Sequence, residues 1–123
     1  MSQISQSIQY SAVESTQVVT DDTQMVPNAS YIANKAGLLT LTLPDEAYIG
    51  DSIEVTGINS ANGWKIAQNA NQTIHIVDTS TTTGTSGSLA STSIYDSVRL
   101  LCTVEGSSTE WNVVSIMGNL TIT

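Results

Sequence analysis

The amino-acid sequence predicts an all-β protein, organised as a single-domain, jelly-roll-like β-sandwich. Apolar and polar residues alternate with a period of two, most clearly where Leu39, Leu41 and Leu43 are separated by threonines. Gly, Asn, Asp and Pro separate about ten short segments of this kind, as turns separate strands. No segment shows helical periodicity, and 123 residues suffice for one domain with one core. Together these features favour a sandwich or jelly roll.

The N-terminal half is expected to contain an arm and four strands. Residues 1–15 alternate weakly and form either an N-terminal arm or a first strand, while residues 16–123 form the sandwich domain. Strands are predicted at 16–20, 31–34, 38–43 and 52–57. Pro44 ends the third of these because proline cannot donate a ladder hydrogen bond. The connection 45–51 has room for one short helical turn.

The C-terminal half is expected to contain two hairpins separated by a long loop. Residues 64–67 and 73–77 form strands around an amide-rich turn at 68–72, and residues 97–104 and 109–116 form the second hairpin. The Ser/Thr/Gly-rich segment 79–93 resembles a linker, but a loop this long within a compact domain is usually functional or self-packed. Leu89 and Ile94 are its expected anchors.

Charge and hydropathy exclude several classes of partner. The formal net charge is −8, with only Lys35, Lys65 and Arg99 positive, so we expect no nucleic-acid partner and no attraction to anionic membranes. No apolar run has transmembrane length, and the first residues do not form a signal peptide. Only 11% of residues are charged, which suits surfaces that pack against copies of the same chain.

The chemistry-bearing residues favour a protein without catalytic activity or cofactor. Cys102 is the only cysteine and has apolar neighbours, which is typical of a packed core thiol. His75 is expected to be hydrogen-bonded or exposed, although three copies around a threefold axis would supply three imidazoles for an axial metal. The paired acids at 21–22 and 45–46 read as solvated turn residues, and no nucleophile, phosphate-loop or zinc motif is present.

Six residues are candidates for ligand binding. Amide side chains hydrogen-bond sugar hydroxyls, and exposed aromatic rings stack on sugar faces. The candidates are Asn59, Asn62, Trp64, Gln68, Asn69 and Tyr95. The alternative interpretation is that the amides form turns and caps while Trp64 and Trp111 belong to the core. The loops 59–62 and 79–93 are the expected contact regions.

A string of short motifs resembles one known family. In order, these motifs are Leu39-Thr-Leu-Thr-Leu-Pro44, Gly50-Asp51, Gly63-Trp64-Lys-Ile-Ala-Gln-Asn-Ala70, Gln72-Thr-Ile-His75, Gly87-Ser-Leu89, Tyr95-Asp-Ser-Val98, Leu101-Cys102, Trp111 and Gly118-Asn-Leu-Thr121. Over about residues 16–123 the chain resembles the C-terminal domains of bacteriophage tail-fibre and minor structural proteins. The resemblance supplies no catalytic or binding residues.

The resemblance implies a virion protein at a tail-fibre end, assembled as a homotrimer with other tail proteins as neighbours. The corresponding function is attachment to a host-surface receptor or glycan through several weak sites acting together. Two alternatives stay open: a purely structural trimerisation cap without a ligand, and a glycan depolymerase with a site between subunits.

Overall fold

The computed structural model describes residues 15–123, which form twelve β-strands and no helix. Apart from Ser15, the predicted arm over residues 1–15 lies outside the described residues. The strands are β1 (Ser15–Val19), β2 (Thr23–Gln24), β3 (Ala29–Ala33), β4 (Leu39–Thr42), β5 (Ser52–Gly57), β6 (Trp64–Ala67), β7 (Thr73–Ile76), β8 (Thr79–Ser80), β9 (Ser88–Ala90), β10 (Ser97–Val104), β11 (Glu110–Met117) and β12 (Thr121–Ile122).

The strands form two sheets, so the predicted all-β sandwich is confirmed. A seven-stranded sheet has the order β1-β3-β5-β10-β11-β7-β8, and a five-stranded sheet has the order β12-β9-β6-β4-β2. The hydrophobic core contains residues of both sheets, including Leu41 and Ile66 from the smaller and Ile53 and Trp111 from the larger.

The first six strands alternate between the two sheets and therefore wind as three successive coils. β1, β3 and β5 are parallel neighbours in the larger sheet, and β2, β4 and β6 are parallel neighbours in the smaller one. The remaining strands close the sandwich mainly by antiparallel pairing, except that β7 runs parallel to β11. This connectivity differs from that of a jelly roll, whose strands are antiparallel.

The predicted hairpin over residues 64–77 is wrong. β6 pairs with β4 and β9 in the smaller sheet, whereas β7 pairs with β11 and β8 in the larger one. Residues 68–72 therefore form an arch that carries the chain across the sandwich, which we call the amide arch. Alternation identified both strands correctly, but a period of two does not show whether a turn returns to the same sheet.

The core follows the predicted alternation. Leu39, Leu41 and Leu43 are fully buried, as are Ile53 and Val55 on β5. Both tryptophans are buried, which confirms the interpretation of these side chains as core residues. Fully burying an aliphatic side chain contributes about 1.5–3 kcal/mol relative to exposure, so this regular alternation is the main source of stability.

The Ser/Thr/Gly-rich segment is packed into the fold. It contributes β8 and β9, and Leu89 on β9 is buried as expected, whereas Ile94 is substantially exposed and does not anchor the loop. A Cβ atom on Gly87 would lie 1.9 Å from the Thr82 carbonyl oxygen, so only glycine fits at this position. The hairpin of β10 and β11 is confirmed. The connection 45–51 contains no helical turn, and Ala47 instead forms a β-bridge with Gly106.

Candidate functional site

A concavity of about 560 Å³ lies at the end of the sandwich where β5 leads into β6. Its lining is mostly apolar and comprises Ala61, the segment 92–96, Met117 and Gly118. Three large side chains here are exposed, and Tyr95 has 72% of its surface accessible to solvent. An exposed apolar group of this size commonly marks a contact surface. We call this region the end concavity.

The loop that carries Tyr95 is held by a buried carboxylate. Asp96 Oδ2 accepts hydrogen bonds from the backbone N–H groups of Thr92 at 2.8 Å and Ser93 at 3.0 Å. The Thr92 hydroxyl also donates to the carbonyl oxygen of Asn119, which ties the loop to the last turn. Gly118 packs against this carboxylate so closely that a Cβ would lie 1.9 Å from Asp96 Oδ1. These contacts hold the loop that carries Tyr95 in one conformation.

Trp64 supports this loop from within the core. Its indole Nε1–H donates to the Asp96 carbonyl oxygen at 3.1 Å, and its side chain has 0% exposure. A ring without accessible surface cannot stack on a ligand, so the predicted ligand contact by Trp64 is corrected to a positioning role. Strand alternation placed Trp64 and Ile66 on one face, and that face is the interior.

Three of the six predicted ligand-binding residues lie at this end of the sandwich. Asn59 and Asn62 are exposed in the loop that also contributes Ala61 to the end concavity, and Tyr95 lines it directly. Asn59 Nδ2 donates to Asn34 Oδ1 at 3.0 Å, which steadies the loop. The sequence did not identify Ile94, Asp96 or Met117 as parts of the site. The one local signal for this part of the site is Asp96, three residues after Ser93, because Asp side chains often accept hydrogen bonds from the backbone of a turn.

Gln68 and Asn69 lie at the opposite end, in the amide arch. Gln68 is buried, and its Nε2 donates to the carbonyl oxygens of Gln72 at 2.7 Å and Thr82 at 2.9 Å. Asn69 is half-buried, and its Nδ2 donates to the Leu43 carbonyl oxygen at 3.0 Å. The predicted ligand contact by Gln68 is therefore corrected: its amide satisfies backbone groups that the sheet crossing leaves unpaired.

Gln72 completes the arch network and is fully buried. Its Nε2 donates to the Pro44 carbonyl oxygen at 2.8 Å and to Thr109 Oγ1 at 3.0 Å, while its Oε1 accepts from the Asn69 N–H at 2.7 Å. A primary amide offers two donors and two acceptor lone pairs. The arch thus uses both ends of this amide to join three separate segments of the chain.

His75 lies between two oxygen partners on the outer face of the larger sheet. Its Nε2 is 2.7 Å from Glu110 Oε1, and its Nδ1 is 2.6 Å from Ser80 Oγ. An ionised carboxylate only accepts hydrogen bonds, so Nε2 carries a proton; when the ring is neutral, Nδ1 accepts from the Ser80 hydroxyl. This order of contacts resembles that of an activated serine, but neither Ser80 nor His75 lines the end concavity.

The same contacts confirm the prediction that His75 is hydrogen-bonded. Both ring nitrogens are engaged within the chain, so neither is free for an axial metal in this arrangement. Among residues 15–123, no group of three or more His, Cys, Asp or Glu side chains is placed to hold a metal ion.

A second, smaller concavity of about 340 Å³ lies at the end where β5 begins and includes Tyr48, Asp51 and Glu105. The Asp51 carboxylate accepts hydrogen bonds from Asn28 Nδ2 at 3.1 Å and from the Tyr48 N–H at 2.9 Å, so it stabilises the conformation of the surrounding loops. Nearby, burial and the Asp51 charge raise the pKa of the Cys102 thiol. The thiol is therefore protonated and unreactive at neutral pH.

Comparison of the chain with protein-family models and with curated proteins found no match. No helix in the described part of the chain is both long and apolar enough to cross a membrane.

Proposed function

We propose that this chain is a receptor-binding domain at the end of a bacteriophage tail fibre and that it acts as a homotrimer on the virion. The observation that carries the proposal is the exposed Tyr95 ring, presented by a rigid loop beside an apolar concavity. A loop held by a rigid scaffold is the usual place for binding residues. The resemblance of the sequence motifs to fibre-end domains suggests the biological setting.

The chemistry of the end concavity suits an uncharged ligand surface such as a host glycan. Tyr95 offers a ring face for stacking and a hydroxyl for hydrogen bonding, and Asn59 and Asn62 offer amides at the neighbouring loop. Asp96 is buried and already accepts hydrogen bonds from its own loop, so its carboxylate offers a ligand little accessible surface. Three such sites on one fibre would combine weak contacts into useful avidity.

A purely structural cap at the fibre end is the second candidate, and one observation favours it. Ile94 and Met117, both at the rim of the concavity, expose large apolar surfaces that another subunit could cover. A cap of this kind predicts a stable oligomer without affinity for cells or glycans. A glycan depolymerase predicts instead that reducing ends are released from host polysaccharide.

The test uses two tyrosines at opposite ends of the sandwich. Tyr95 and Tyr48 are 72% and 75% exposed, so Tyr48→Ala is a matched control for Tyr95→Ala. Fluorescently labelled wild type, Tyr95→Ala and Tyr48→Ala are compared for binding to bacterial cells and to a glycan array. We expect Tyr95→Ala to lose at least about tenfold in affinity, corresponding to about 1.4 kcal/mol, and Tyr48→Ala to match the wild type.

Equal loss in both variants, or no binding by the wild type to any host surface tested, would contradict the proposal. A reducing-sugar assay on host polysaccharide, carried out with the same preparations, separates binding from hydrolysis.

A further inference from the structure

One half of β11 has an open edge. β7 accompanies β11 only from Glu110 to Asn112, so the rest of the strand pairs with β10 alone. Residues 114–117 are all exposed, although successive residues of a strand point to opposite faces. Val114, Ile116 and Met117 are apolar. In this half-strand, which we call the β11 edge (residues 113–117), Val113 packs partly against the core, whereas residues 114–117 are exposed and have a neighbouring strand on one side only among the described residues.

The opposite border of the same sheet has a similar open strand. β1 is the terminal strand in the sheet order and pairs only with β3 among the described residues. Its first four residues are exposed, and Val18 has 58% of its surface accessible. β1 and the β11 edge each contain five residues and no charged residue. Both are rich in residues with high β-propensity.

Exposed edges of this kind are usually protected by lysine, proline or a covering segment. β1 contains neither lysine nor proline, and neither does the β11 edge, although a bulge at Val114 increases the local twist. A strand that is left open in this way is a template for pairing with another chain.

The directions of the two strands allow them to pair with each other in neighbouring copies. β1 is parallel to β5, and β5 reaches β11 through two antiparallel pairings, so β1 and β11 run in the same direction. In a ring of copies around an axis along the strands, all copies keep that direction. β1 of one copy would then meet the β11 edge of the next in parallel, as β7 already meets the first part of β11.

We propose that these two edges form the contact between copies, with β1 of each copy pairing with residues 113–117 of the next. The occupant is a second copy because one chain carries both open edges, which run in the same direction and contain no charged residue to repel the neighbouring copy. β1 is the terminal strand on one side of the sheet, and the β11 edge is open on the opposite side, beyond the end of its pairing with β7, as a head-to-tail ring requires. The proposal rests on the homotrimer of the proposed function and identifies its interface.

The test introduces one lysine at each edge and measures mass in solution by light scattering and native mass spectrometry. We expect Val18→Lys and Val114→Lys to lower the mass about threefold, to that of a single chain. Val104→Lys is the matched control, since Val104 is 42% exposed at the end of β10 that lies away from residues 113–117, and it should keep the wild-type mass. Thr16→Lys, also exposed on β1, serves as a second β1 variant, and circular dichroism verifies folding in each case.

Mixing the two variants tests the head-to-tail arrangement directly. Val18→Lys keeps an intact β11 edge and Val114→Lys keeps an intact β1, so an equimolar mixture should form a two-chain species that does not grow further. A wild-type mass for folded Val18→Lys and Thr16→Lys would overturn the interface while leaving the oligomer of the proposed function standing. A monomeric wild type would overturn both the interface and the homotrimer, but glycan binding by Tyr95 would still be measured separately.

Discussion

Gln72 in the amide arch provides the sharpest test of how this fold crosses between its sheets. Gln72→Glu keeps the size and shape of the side chain but replaces its NH₂ group by an oxygen. A carboxylate can donate neither to the Pro44 carbonyl oxygen nor to Thr109 Oγ1, and a protonated carboxyl group can donate to only one of them, while the contact with the Asn69 N–H is retained. The substitution therefore isolates the donor function of a fully buried amide from its volume.

The expected loss of stability is about 3 kcal/mol. Leaving the Pro44 carbonyl oxygen without this donor costs about 1–3 kcal/mol, and losing the bond to Thr109 costs about 1 kcal/mol. Thr109 Oγ1 keeps its contact with Trp111 Nε1 at 2.8 Å, so it is not left without a partner. Burial disfavours the charged form of the new carboxyl group, so the folded state favours its protonated form; the single O–H then replaces at most one of the two donations, and taking up this proton at pH 8 adds to the cost. A domain of this size has a total stability of about 5–15 kcal/mol.

Equilibrium urea denaturation followed by tryptophan fluorescence measures the loss. Asn71→Asp is the matched control, because Asn71 is exposed in the same arch and its left-handed backbone, with φ of 69°, suits Asp as well as Asn. We expect this control to stay within about 0.5 kcal/mol of the wild type. A cost below about 1 kcal/mol for Gln72→Glu at pH 8 would refute the assignment of Gln72 as an essential donor.

Three further predictions concern the packing around the site and the core. Gly87→Ala should destabilise the domain by about 3 kcal/mol or more in urea denaturation, because its Cβ would lie 1.9 Å from the Thr82 carbonyl oxygen. Trp64→Phe should lower the free energy of unfolding by about 1–2 kcal/mol and accelerate amide hydrogen exchange in residues 92–96, because the hydrogen bond to the Asp96 carbonyl oxygen is lost. Unchanged exchange would contradict the positioning role of Trp64. The pKa of the Cys102 thiol is raised mainly by burial, so the folded state holds this proton more tightly than the unfolded state does. Stability relative to Cys102→Ala should therefore fall as pH rises above about 8.5, the range in which an unfolded thiol ionises, and parallel denaturation of the two proteins at pH 7 and pH 9.5 checks this.

The sequence predicts the strands of this fold better than their connections. Alternation located the strand of Leu39, Leu41 and Leu43 and the hairpin of β10 and β11, because burial on one face leaves a period of two. It misplaced the connection over residues 68–72, since turn-forming amides occur both in hairpins and in arches between sheets. The burial of Gln68 and Gln72 is a consequence of the crossing and is visible only in three dimensions.

The candidate site shows the same division. Tyr95 was identified from its residue type, and Asn59 and Asn62 from their loop. The sequence alone also allows Trp64 in the ligand site, because tryptophan suits both sugar stacking and core packing. Its position on the interior face of β6 decides for core packing. The end concavity itself depends on Met117, which the fold brings beside the loop from a distant part of the sequence.

The coiled winding of the first six strands also determines how the chain must fold. Ser15 pairs with Ala29, and Thr23 pairs with Leu41. Each of these parallel pairs can form only after the chain has crossed to the other sheet and returned. The antiparallel pairs of β7 with β8 and of β10 with β11 close over much shorter stretches. Because non-local pairing must overcome loop-closure entropy first, we expect these two hairpins to form early and the coils to follow slowly. During that delay the uncharged β1 and β11 edges of neighbouring chains would be exposed together, which makes the concentration of nascent chains a determinant of correct assembly.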